Sequence, residues 1–435
     1  MVGYLKAYIL FPLLEKALSR NILSKINILK KDADLSFPDR LRLRRKRLAD
    51  ILKIAEAYVP YYREVFRKFN FKPENVEKDM AYLNALPYLN KDILREQGDR
   101  LINEKYKKAC LHIRKTSGST GPSVLIYYSQ NALDWTAATN LFVLEWAGKK
   151  MHMKETHLSS RHPDTEYLNN RFKEWAKCLA MNRTNILTDD FDKKSLEDIW
   201  KKLKKAKPYL IQGHPSTLYA LALFIKENNT MAAGIIKVFE STGEVLDKKK
   251  KEAIEEVFKC QVFNRYGSAE FGVVAHNTKT SGDKQKILDF IAWPETLNLA
   301  NGLNEIVLTG LTNEAMPLIR YRTGDLGELE ILEDGFYFKN IKGRVHDIVK
   351  IGDRNYPTHY IQDLLDKIGG VDDFQIESIN ANRLILRIVL SDVNAKGTIE
   401  NKINTLWPEK IQLEFTDFKG LKRTGLRGKF TYLIN

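Results

Sequence analysis

A loop rich in glycine and hydroxyl side chains is the first segment of this 435-residue chain whose composition suggests chemistry. Residues 116–121 read Thr-Ser-Gly-Ser-Thr-Gly, and the β-branched and aromatic stretch 124–128 follows them. Glycine lets backbone N–H groups converge, and converging amides beside Ser and Thr hydroxyls make an anion site that suits phosphate. The loop is not the usual nucleotide P-loop, because Pro122 stands where a lysine would be expected. Taken alone, it also fits a flexible surface turn.

Four charged side chains lie downstream in motifs that suit a nucleotide, although each motif has a simpler structural explanation. Glu270 ends Tyr-Gly-Ser-Ala-Glu, where it could hold Mg²⁺ or serve as an acid at a helix start. Asp325 ends Tyr-Arg-Thr-Gly-Asp, which predicts a turn; there its carboxylate could accept both ribose hydroxyls or only stabilise the turn. Arg344 offers a permanently charged fork to phosphate or ribose oxygens, or forms a salt bridge in a linker. Lys429 closes the glycine-rich segment 423–429, which otherwise fits a solvated tail.

The elements predicted around these motifs form a sheet covered by helices. Residues 1–100 are expected to be helical, with apolar residues at helical spacing between 40 and 66. Residues 110–340 alternate short apolar runs with amphipathic helices, as in α/β domains. This alternation puts polar residues at strand ends, where open α/β sheets usually bind ligands. The clearest predicted elements are strands at 209–213, 236–239 and 261–263 and helices at 218–226 and 248–258.

A change of pattern after residue 303 predicts a β-rich subdomain and then a smaller second unit. Strands are expected at 305–309 and within 327–337, with Asp334-Gly335 as a hairpin turn. The last part of the chain mixes a helix at 360–368 with a strand at 384–390. The predicted fold class is therefore α/β, with a large domain of helix-covered sheets over 1–343 and a small α+β domain over 344–435.

The formal net charge of +15 is distributed over helical runs and does not by itself predict a nucleic-acid site. The densest runs are 40–47, 201–207 and 248–251, where apolar residues recur beside the charges as on a solvated helix face. We therefore expect no nucleic-acid partner, although the positive field would attract small anions.

Cysteine usage and hydropathy predict a cytoplasmic protein. Cys110, Cys178 and Cys260 lie far apart with no C-x-x-C pair, which argues against a zinc site or a disulfide framework. The apolar segment 7–14 is too short to span a bilayer, and no signal-peptide cleavage pattern follows it. We expect this segment to form a packed N-terminal helix, with at most a peripheral membrane contact.

Taken together, the motifs resemble those of the adenylate-forming superfamily of acyl-CoA synthetases, adenylation domains and luciferases. The closest resemblance is to the branch of phenylacetate–CoA ligases and CapK-type capsule-biosynthesis proteins, and it covers nearly the whole chain. It implies that Glu270 holds the metal, that His346 lies at an interdomain hinge and that Lys429 is catalytic. The nucleotide-binding residues that it implies are Thr116, Ser117, Gly118, Ser119, Thr120, Gly121, Gly243, Glu244, Tyr266, Gly267, Ser268, Asp325 and Arg344.

The resemblance implies a ligase that needs ATP and Mg²⁺ and works in two steps. A small-molecule carboxylic acid would attack the α-phosphate of ATP to give an acyl adenylate, with Lys429 supplied by a mobile C-terminal domain. That domain would then rotate so that an acceptor, most simply CoA, takes the acyl group. One alternative is transfer to an amine or sugar in capsular or cell-surface polysaccharide synthesis, without CoA. A more distant alternative is a catalytically silent nucleotide-binding scaffold.

Two positions depart from the family pattern. The phosphate loop lacks the lysine that many relatives carry after its last glycine, which predicts weaker contacts with the β- and γ-phosphates or contacts supplied elsewhere. His346 stands where Asp or Lys is usual at the hinge. A histidine there could make domain rotation sensitive to pH, or could be a tolerated hinge residue.

Overall fold

The computed structural model describes residues 2–116, 124–159, 171–188, 193–228, 231–300, 302–344, 348–352, 354–358, 361, 364–365, 368–380, 383–408, 410–424 and 429–434. The chain forms two compact units. Unit 1 comprises Met1–Lys154, Lys173–Arg183 and Phe263–Ile341, and unit 2 comprises Glu155–Phe172, Thr184–Val262 and Lys342–Asn435. The domain boundary expected at residue 343 stays a prediction.

Helices make up most of the first hundred residues and connect later strands. The α-helices are α1 (Val2–Leu5), α2 (Phe11–Ala17), α3 (Ile22–Ala33), α4 (Phe37–Tyr58), α5 (Pro60–Lys68), α6 (Asn75–Lys78), α7 (Lys91–Gln97), α8 (Gln130–Trp146), α9 (Arg171–Ala180), α10 (Lys193–Ala206), α11 (Pro215–Glu227), α12 (Lys248–Phe258) and α13 (Lys396–Leu406). A π-helical turn joins α1 to α2 (Lys6–Leu10), and short 3₁₀ segments occupy Met80–Ala85, Gly98–Leu101, Lys108–Cys110 and Val393–Ala395.

Strands dominate the second half of the described chain. They are β1 (His112–Lys115), β2 (Leu125–Tyr128), β3 (Glu155–Ser159), β4 (Arg183–Leu187), β5 (Leu210–Gly213), β6 (Val238–Thr242), β7 (Gln261–Ser268), β8 (Gly272–Asn277), β9 (Gln285–Ile287), β10 (Ala292–Asn298), β11 (Asn304–Gly310), β12 (Tyr321–Leu332), β13 (Gly335–Arg344), β14 (Ile348–Ile351), β15 (Arg354–Pro357), β16 (Val371–Asn380), β17 (Arg383–Leu390), β18 (Ile411–Thr416), β19 (Arg423–Thr424), β20 (Lys429–Phe430) and β21 (Leu433–Ile434).

Unit 1 is built on a sheet in the order β10-β11-β12-β13-β9-β8-β7, with the hairpin β1-β2 beside it. The pairs β10–β11, β11–β12, β13–β9, β9–β8 and β8–β7 are antiparallel, as expected for a β-rich region. Apolar residues of α4 and α5, among them Leu48, Leu52 and Phe66, share one buried cluster with strand residues such as Ile306 and Phe338. The core therefore fixes the strands that carry the 266–270 and 321–325 motifs.

The arginine-rich helix α4 differs from the solvated face that its sequence predicts. Arg40 and Arg44 are buried, and both form ion pairs with Asp289. Arg47 lies over the ring of Phe290, and burial, assisted by Arg44, lowers its pKa to about 10. The expectation of a solvated face is wrong for these three arginines because acidic and aromatic partners far along the chain satisfy them.

Unit 2 contains a sheet in the order β6-β5-β3-β4, in which β3, β5 and β6 run parallel. Helices α10, α11 and α12 bury apolar residues against it, including Trp200, Leu218 and Phe258. A second, mixed sheet in the order β18-β17-β16-β21 packs with α13 around Ile388 and Ile403. The predicted α/β class is confirmed, and the C-terminal part of the chain mixes helix and strand as expected.

Candidate active site

Tyr266 and Asp325 form the centre of a polar cluster in unit 1. The Tyr266 hydroxyl donates to Oδ2 of Asp325 at 2.8 Å. Burial, reinforced by the neighbouring Asp325 carboxylate, raises the pKa of Tyr266 well above its ordinary value, so the phenol stays protonated and remains a donor. Two of the predicted nucleotide-binding residues, which are 59 positions apart in sequence, are thus in direct contact.

Asp325 lies in an irregularity of β12, not in the turn that its Thr-Gly-Asp sequence suggests. Glu305 of β11 pairs with Leu326, whereas Val307 pairs with Arg322, so three residues of β12 lie opposite one of β11. Gly324 has a φ of +78°, which favours glycine there. A bulge of this kind redirects a side chain that a regular strand would point elsewhere.

The buried carboxylate of Glu305 holds this bulge in place. It accepts hydrogen bonds from the Gly324 N–H at 3.0 Å and from the Arg322 guanidinium at 2.6 and 2.9 Å. The Thr323 hydroxyl donates to the carbonyl oxygen of Ile306 at 2.8 Å and accepts from the Asp325 N–H at 3.1 Å. Asp325 is therefore positioned by contacts to two elements, β7 and β11.

Glu270 lies just after the end of β7, and both its carboxylate and its backbone carbonyl oxygen accept hydrogen bonds. Its Oε1 accepts from the Tyr321 hydroxyl at 3.0 Å. The Tyr128 hydroxyl lies 2.7 Å from the carbonyl oxygen of Ala269 and 2.6 Å from that of Glu270, and donates to them. These two buried tyrosines fix the backbone and the carboxylate of Glu270.

A bulge explains why glycine occupies position 267. The β7–β8 register shifts between Tyr266 and Gly267. A Cβ atom at position 267 would lie 2.5 Å from the carbonyl oxygen of Gly272, on the backbone of β8, so a side chain would force the strands apart. Two bulges, one in β8 opposite Tyr266 and Gly267 and one in β12, therefore bring Tyr266 and Asp325 together.

Thr116 closes the neck of the predicted phosphate loop. Its N–H donates to the carbonyl oxygen of Val124, and its hydroxyl accepts from the Val124 N–H, each at 2.9 Å. The hydroxyl of Thr116 thus ties the two ends of the loop together. Ser117, Gly118, Ser119, Thr120 and Gly121 lie outside the described residues.

Arg320 anchors the stretch that precedes Asp325. It is buried with a left-handed φ of +50°. Its guanidinium donates to the carbonyl oxygens of Asn84 and Leu86 at 3.1 and 2.6 Å and to Glu295 at 3.0 Å. The Leu89 N–H in turn donates to the carbonyl oxygen of Arg320 at 3.0 Å. The segment around Leu86 thereby supports the 321–325 motif.

Glu244 forms a second polar cluster, in unit 2. It accepts from the N–H groups of Ser216 at 3.2 Å and Phe430 at 2.9 Å, and Nδ1 of His214 lies 3.4 Å away. Burial alone would raise the pKa of Glu244, but His214, the Ser216 and Phe430 hydrogen bonds and the Arg423 charge outweigh it and lower that pKa. Glu244 therefore anchors the backbone next to Lys429 as a carboxylate.

A buried ion cluster holds the same C-terminal segment to α12. Nζ of Lys250 lies 3.1 Å from Asp247, 3.2 Å from Asp373 and 2.7 Å from the Tyr432 hydroxyl. Burial favours the neutral amine, but Asp373, Tyr432 and Asp247 raise the pKa of Lys250 well above its ordinary value. Strands β20 and β21 are thus fixed by Glu244 at one point and by Lys250 at another.

Several predicted site residues are described only in part. Gly243 has a φ of +84°, a conformation that favours glycine beside Glu244. For Arg344 and Lys429 the structure describes the backbone alone, in β13 and β20, where Lys429 pairs with Thr424. His346 lies outside the described residues. The roles of these side chains stay predictions.

The side chains around Glu270 fit a metal ion that takes one ligand from the protein and others from nucleotide phosphates. No group of three or more His, Cys, Asp or Glu side chains in the described part of the chain could hold a metal ion. Mg²⁺ often binds one carboxylate and substrate phosphates, so a single Glu270 is sufficient on the protein side. Oγ of Ser268 is buried without a hydrogen-bond partner among the described residues, as expected for a group that bonds to a ligand.

Sequence reasoning missed the residues that support the site. The sequence motifs do not include Glu305 or Tyr128, and they include Tyr321 only as one residue of its motif. The one sequence signal was a carboxylate in the otherwise apolar strand 305–309. A buried acid in such a strand indicates a long-range partner, but not which partner.

No protein-family model matches the chain, but individual proteins do. The chain is 24% identical over 388 residues to protein CapK of Staphylococcus aureus. The aligned region covers 87% of this chain and 83% of that protein. The chain is 25% identical over 304 residues to phenylacetate–coenzyme A ligase of Pseudomonas putida, which covers 65% of each chain. These homologues confirm the resemblance drawn from the motifs.

Solved structures show the same fold. 2-Hydroxyisobutyryl-CoA ligase in the postadenylation state, in complex with R3-HIB-AMP, superposes with a TM-score of 0.71 at 18% identity, covering 92% of this chain and 90% of that one. ATP-bound MatB from Rhodopseudomonas palustris gives a TM-score of 0.50 at 17% identity, covering 72% and 65%. At these identities the likeness establishes the fold.

Proposed function

Because this chain is homologous to CapK and the phenylacetate–CoA ligases and has the fold of adenylate-forming acyl-CoA ligases, we propose that it is an AMP-forming acid ligase. A carboxylate oxygen of the acid attacks the α-phosphate of ATP, the bond to pyrophosphate breaks, and an acyl adenylate forms. The observation that carries this proposal is the contact of Tyr266 with Asp325 on a bulge that Glu305 holds.

The cluster in unit 1 supplies the ribose contacts. Asp325 is half-buried, and its carboxylate can accept from hydroxyl groups while Tyr266 orients it. Hydrogen bonds to a charged acceptor contribute about 1.5–3 kcal/mol each, so two of them hold a ribose firmly. The loop amides and hydroxyls of residues 117–121 are proposed to bind phosphate.

Glu270 is the proposed ligand of Mg²⁺, with Tyr321 holding its carboxylate. When bound, Mg²⁺ neutralises phosphate charge and orients the leaving group. Most of the catalysis then comes from positioning and charge stabilisation by the chain itself.

The Glu244 cluster is proposed to contact the base and to hold the lysine strand. Ser241 and Ser216 each have a buried hydroxyl oxygen without a hydrogen-bond partner among the described residues. Lys429 directly precedes Phe430, whose N–H is bound by Glu244. We propose that the Lys429 ammonium stabilises the negative charge that develops between the acid and the α-phosphate, a contact of the kind typically worth 10²–10³ in rate.

An acceptor then attacks the carbonyl carbon of the adenylate, and AMP leaves. We propose CoA, whose thiol gives a thioester. The alternative is an amine or sugar acceptor, as in the capsule-type hypothesis. It is favoured by the longer match to CapK, which spans 87% of the chain against 65% for the Pseudomonas ligase.

Transfer of labelled oxygen tests the first step. The purified protein would be incubated with ATP, Mg²⁺ and acids labelled with heavy oxygen in the carboxylate, screened over aryl, fatty, hydroxy and amino acids. Because the acid oxygen stays on phosphorus when the adenylate is consumed, AMP should carry the label. Unlabelled AMP, or ADP as the product, would contradict the proposal.

The acceptor is tested separately by following turnover with the active acid. If turnover requires CoA and forms thioester in an amount equal to AMP, CoA is supported as the acceptor. Turnover that needs an amino sugar and proceeds without CoA would establish the alternative instead.

A further inference from the structure

The N-terminal helical segment, residues 2–17, is apolar on two faces. On its inner face Ala7 and Phe11 are buried, and Phe11 belongs to an apolar cluster of unit 1 with Ile26 and Phe142. Lys6 fixes the segment further through a hydrogen bond to Asn182 at 3.2 Å. The segment is therefore docked on the protein by one face only.

The outer face carries a stripe of large apolar side chains. Val2, Leu5, Ile9 and Leu13 follow at intervals of three or four residues and are each more than half exposed. Tyr4 and Tyr8 flank the stripe, are also about half exposed, and lie close to the ring of His152. Exposed apolar residues that occur singly are ordinary, but a contiguous stripe marks an interaction surface.

The charges around the stripe complement an anionic surface. Residues 2–14 contain no carboxylate, and Lys16 lies exposed at the end of the segment. Glu15 is engaged in accepting from the N–H groups of Ile22 and Leu23 at the start of α3. Residues 2–14 therefore carry no negative charge that would repel anionic head groups, and the net charge of the whole chain, +15, is also positive.

We propose that this stripe is a docking face for the interface of an anionic lipid bilayer. Sixteen helical residues extend about 24 Å, less than the hydrocarbon thickness of about 30 Å. No helix of the described residues is long and apolar enough to cross a membrane. The segment therefore lies in the plane of the interface, with the aliphatic stripe toward the acyl chains and the tyrosines at head-group level.

This inference is independent of the proposed ligase activity, and vesicle sedimentation tests it. The full chain would be mixed with vesicles of phosphatidylcholine alone or with roughly one third phosphatidylglycerol. We expect binding to the anionic vesicles, and roughly tenfold weaker binding by Leu5→Gln/Ile9→Gln, because two exposed side chains lose their apolar contact. The matched control is Ile331→Gln/Val393→Gln, which removes two other exposed apolar side chains and should bind like the unaltered chain.

Thermal unfolding of both variants verifies that the fold is retained, since all four positions are exposed. Failure of the unaltered chain to bind either vesicle, or equal binding by Leu5→Gln/Ile9→Gln, would overturn the proposal. Equal binding to the two vesicle types would contradict the proposal that the bilayer must be anionic. A dimer in solution that dissociates in Leu5→Gln/Ile9→Gln would assign the stripe to a second copy of the chain instead.

Discussion

At the scale of single residues, Asp325 depends on contacts outside its own strand. Tyr266 binds its carboxylate from β7, and Glu305 holds the preceding glycine from β11. Both partners are buried, so neither contact competes with bulk water. The function of Asp325 should therefore be more sensitive to loss of its charge than to loss of either neighbouring hydrogen bond.

If Asp325 binds the ribose as proposed, Asp325→Asn should lower the rate of adenylate formation at low ATP by about 10²-fold, because two charged contacts would weaken together. Steady-state kinetics over a range of ATP concentrations would measure this. Tyr266→Phe, which keeps the carboxylate, should have a smaller effect. An unchanged KM for ATP in Asp325→Asn would contradict the ribose assignment.

Glu244 should make stability depend on pH in the acid range. Its pKa is lowered in the folded protein from an ordinary value of 4.5, so its contribution is fully present above about pH 4.5 and is lost as the pH falls through the lower folded value. Glu244→Gln should cost about 1–3 kcal/mol at pH 7, since a buried charged acceptor of two N–H groups is lost.

The difference in melting temperature between Glu244→Gln and the unaltered chain should therefore shrink as the pH is lowered below 4.5. Glu197, an exposed acid paired with Lys201, gives the matched control Glu197→Gln. A difference that stays constant down to acid pH would exclude the carboxylate form as the anchor of β20.

At the scale of elements, two irregular strands create the site. The bulge of β8 lies opposite Gly267 of β7, where a Cβ atom would lie 2.5 Å from a backbone oxygen of β8. Gly267→Ala should cost about 1–3 kcal/mol and reduce activity at least tenfold, because the strands must separate where Tyr266 is held. Gly397→Ala, in α13 with no atom within 4 Å of the new methyl group, is the control.

Denaturant unfolding and turnover would be measured on both glycine variants. The control should be neutral or slightly stabilising, since alanine favours helix. If Gly267→Ala were as active as Gly397→Ala, the bulge would not position Tyr266.

The regular elements were predictable because their signals are local. The helix expected at 248–258 is observed as Lys248–Phe258, and the strand expected at 305–309 is observed as Asn304–Gly310. The bulges were not predictable, because a two-residue alternation contains no sign of which partner strand shifts register. Asp325 was therefore expected on a turn and lies in a strand.

At the scale of the whole molecule, the order of the motifs predicted the fold and the homologous proteins, whereas the partners of charged residues could not be predicted from the sequence. The arginines of α4 were expected to face solvent, yet Arg40 and Arg44 pair with Asp289, more than 240 residues away in sequence. Lys250 likewise pairs with Asp373. A sequence records that a charge is present but does not record which distant carboxylate satisfies its burial.

Carboxylate-dependent exchange of pyrophosphate into ATP is the most direct test of the central claim. With Mg²⁺ and the acid found active, the unaltered chain should exchange label, and Lys429→Ala should do so 10²–10³-fold more slowly. Lys402→Ala, which removes an exposed lysine of α13, should match the unaltered chain. Exchange that continues without any acid, or that proceeds at full rate in Lys429→Ala, would contradict adenylate formation at this site.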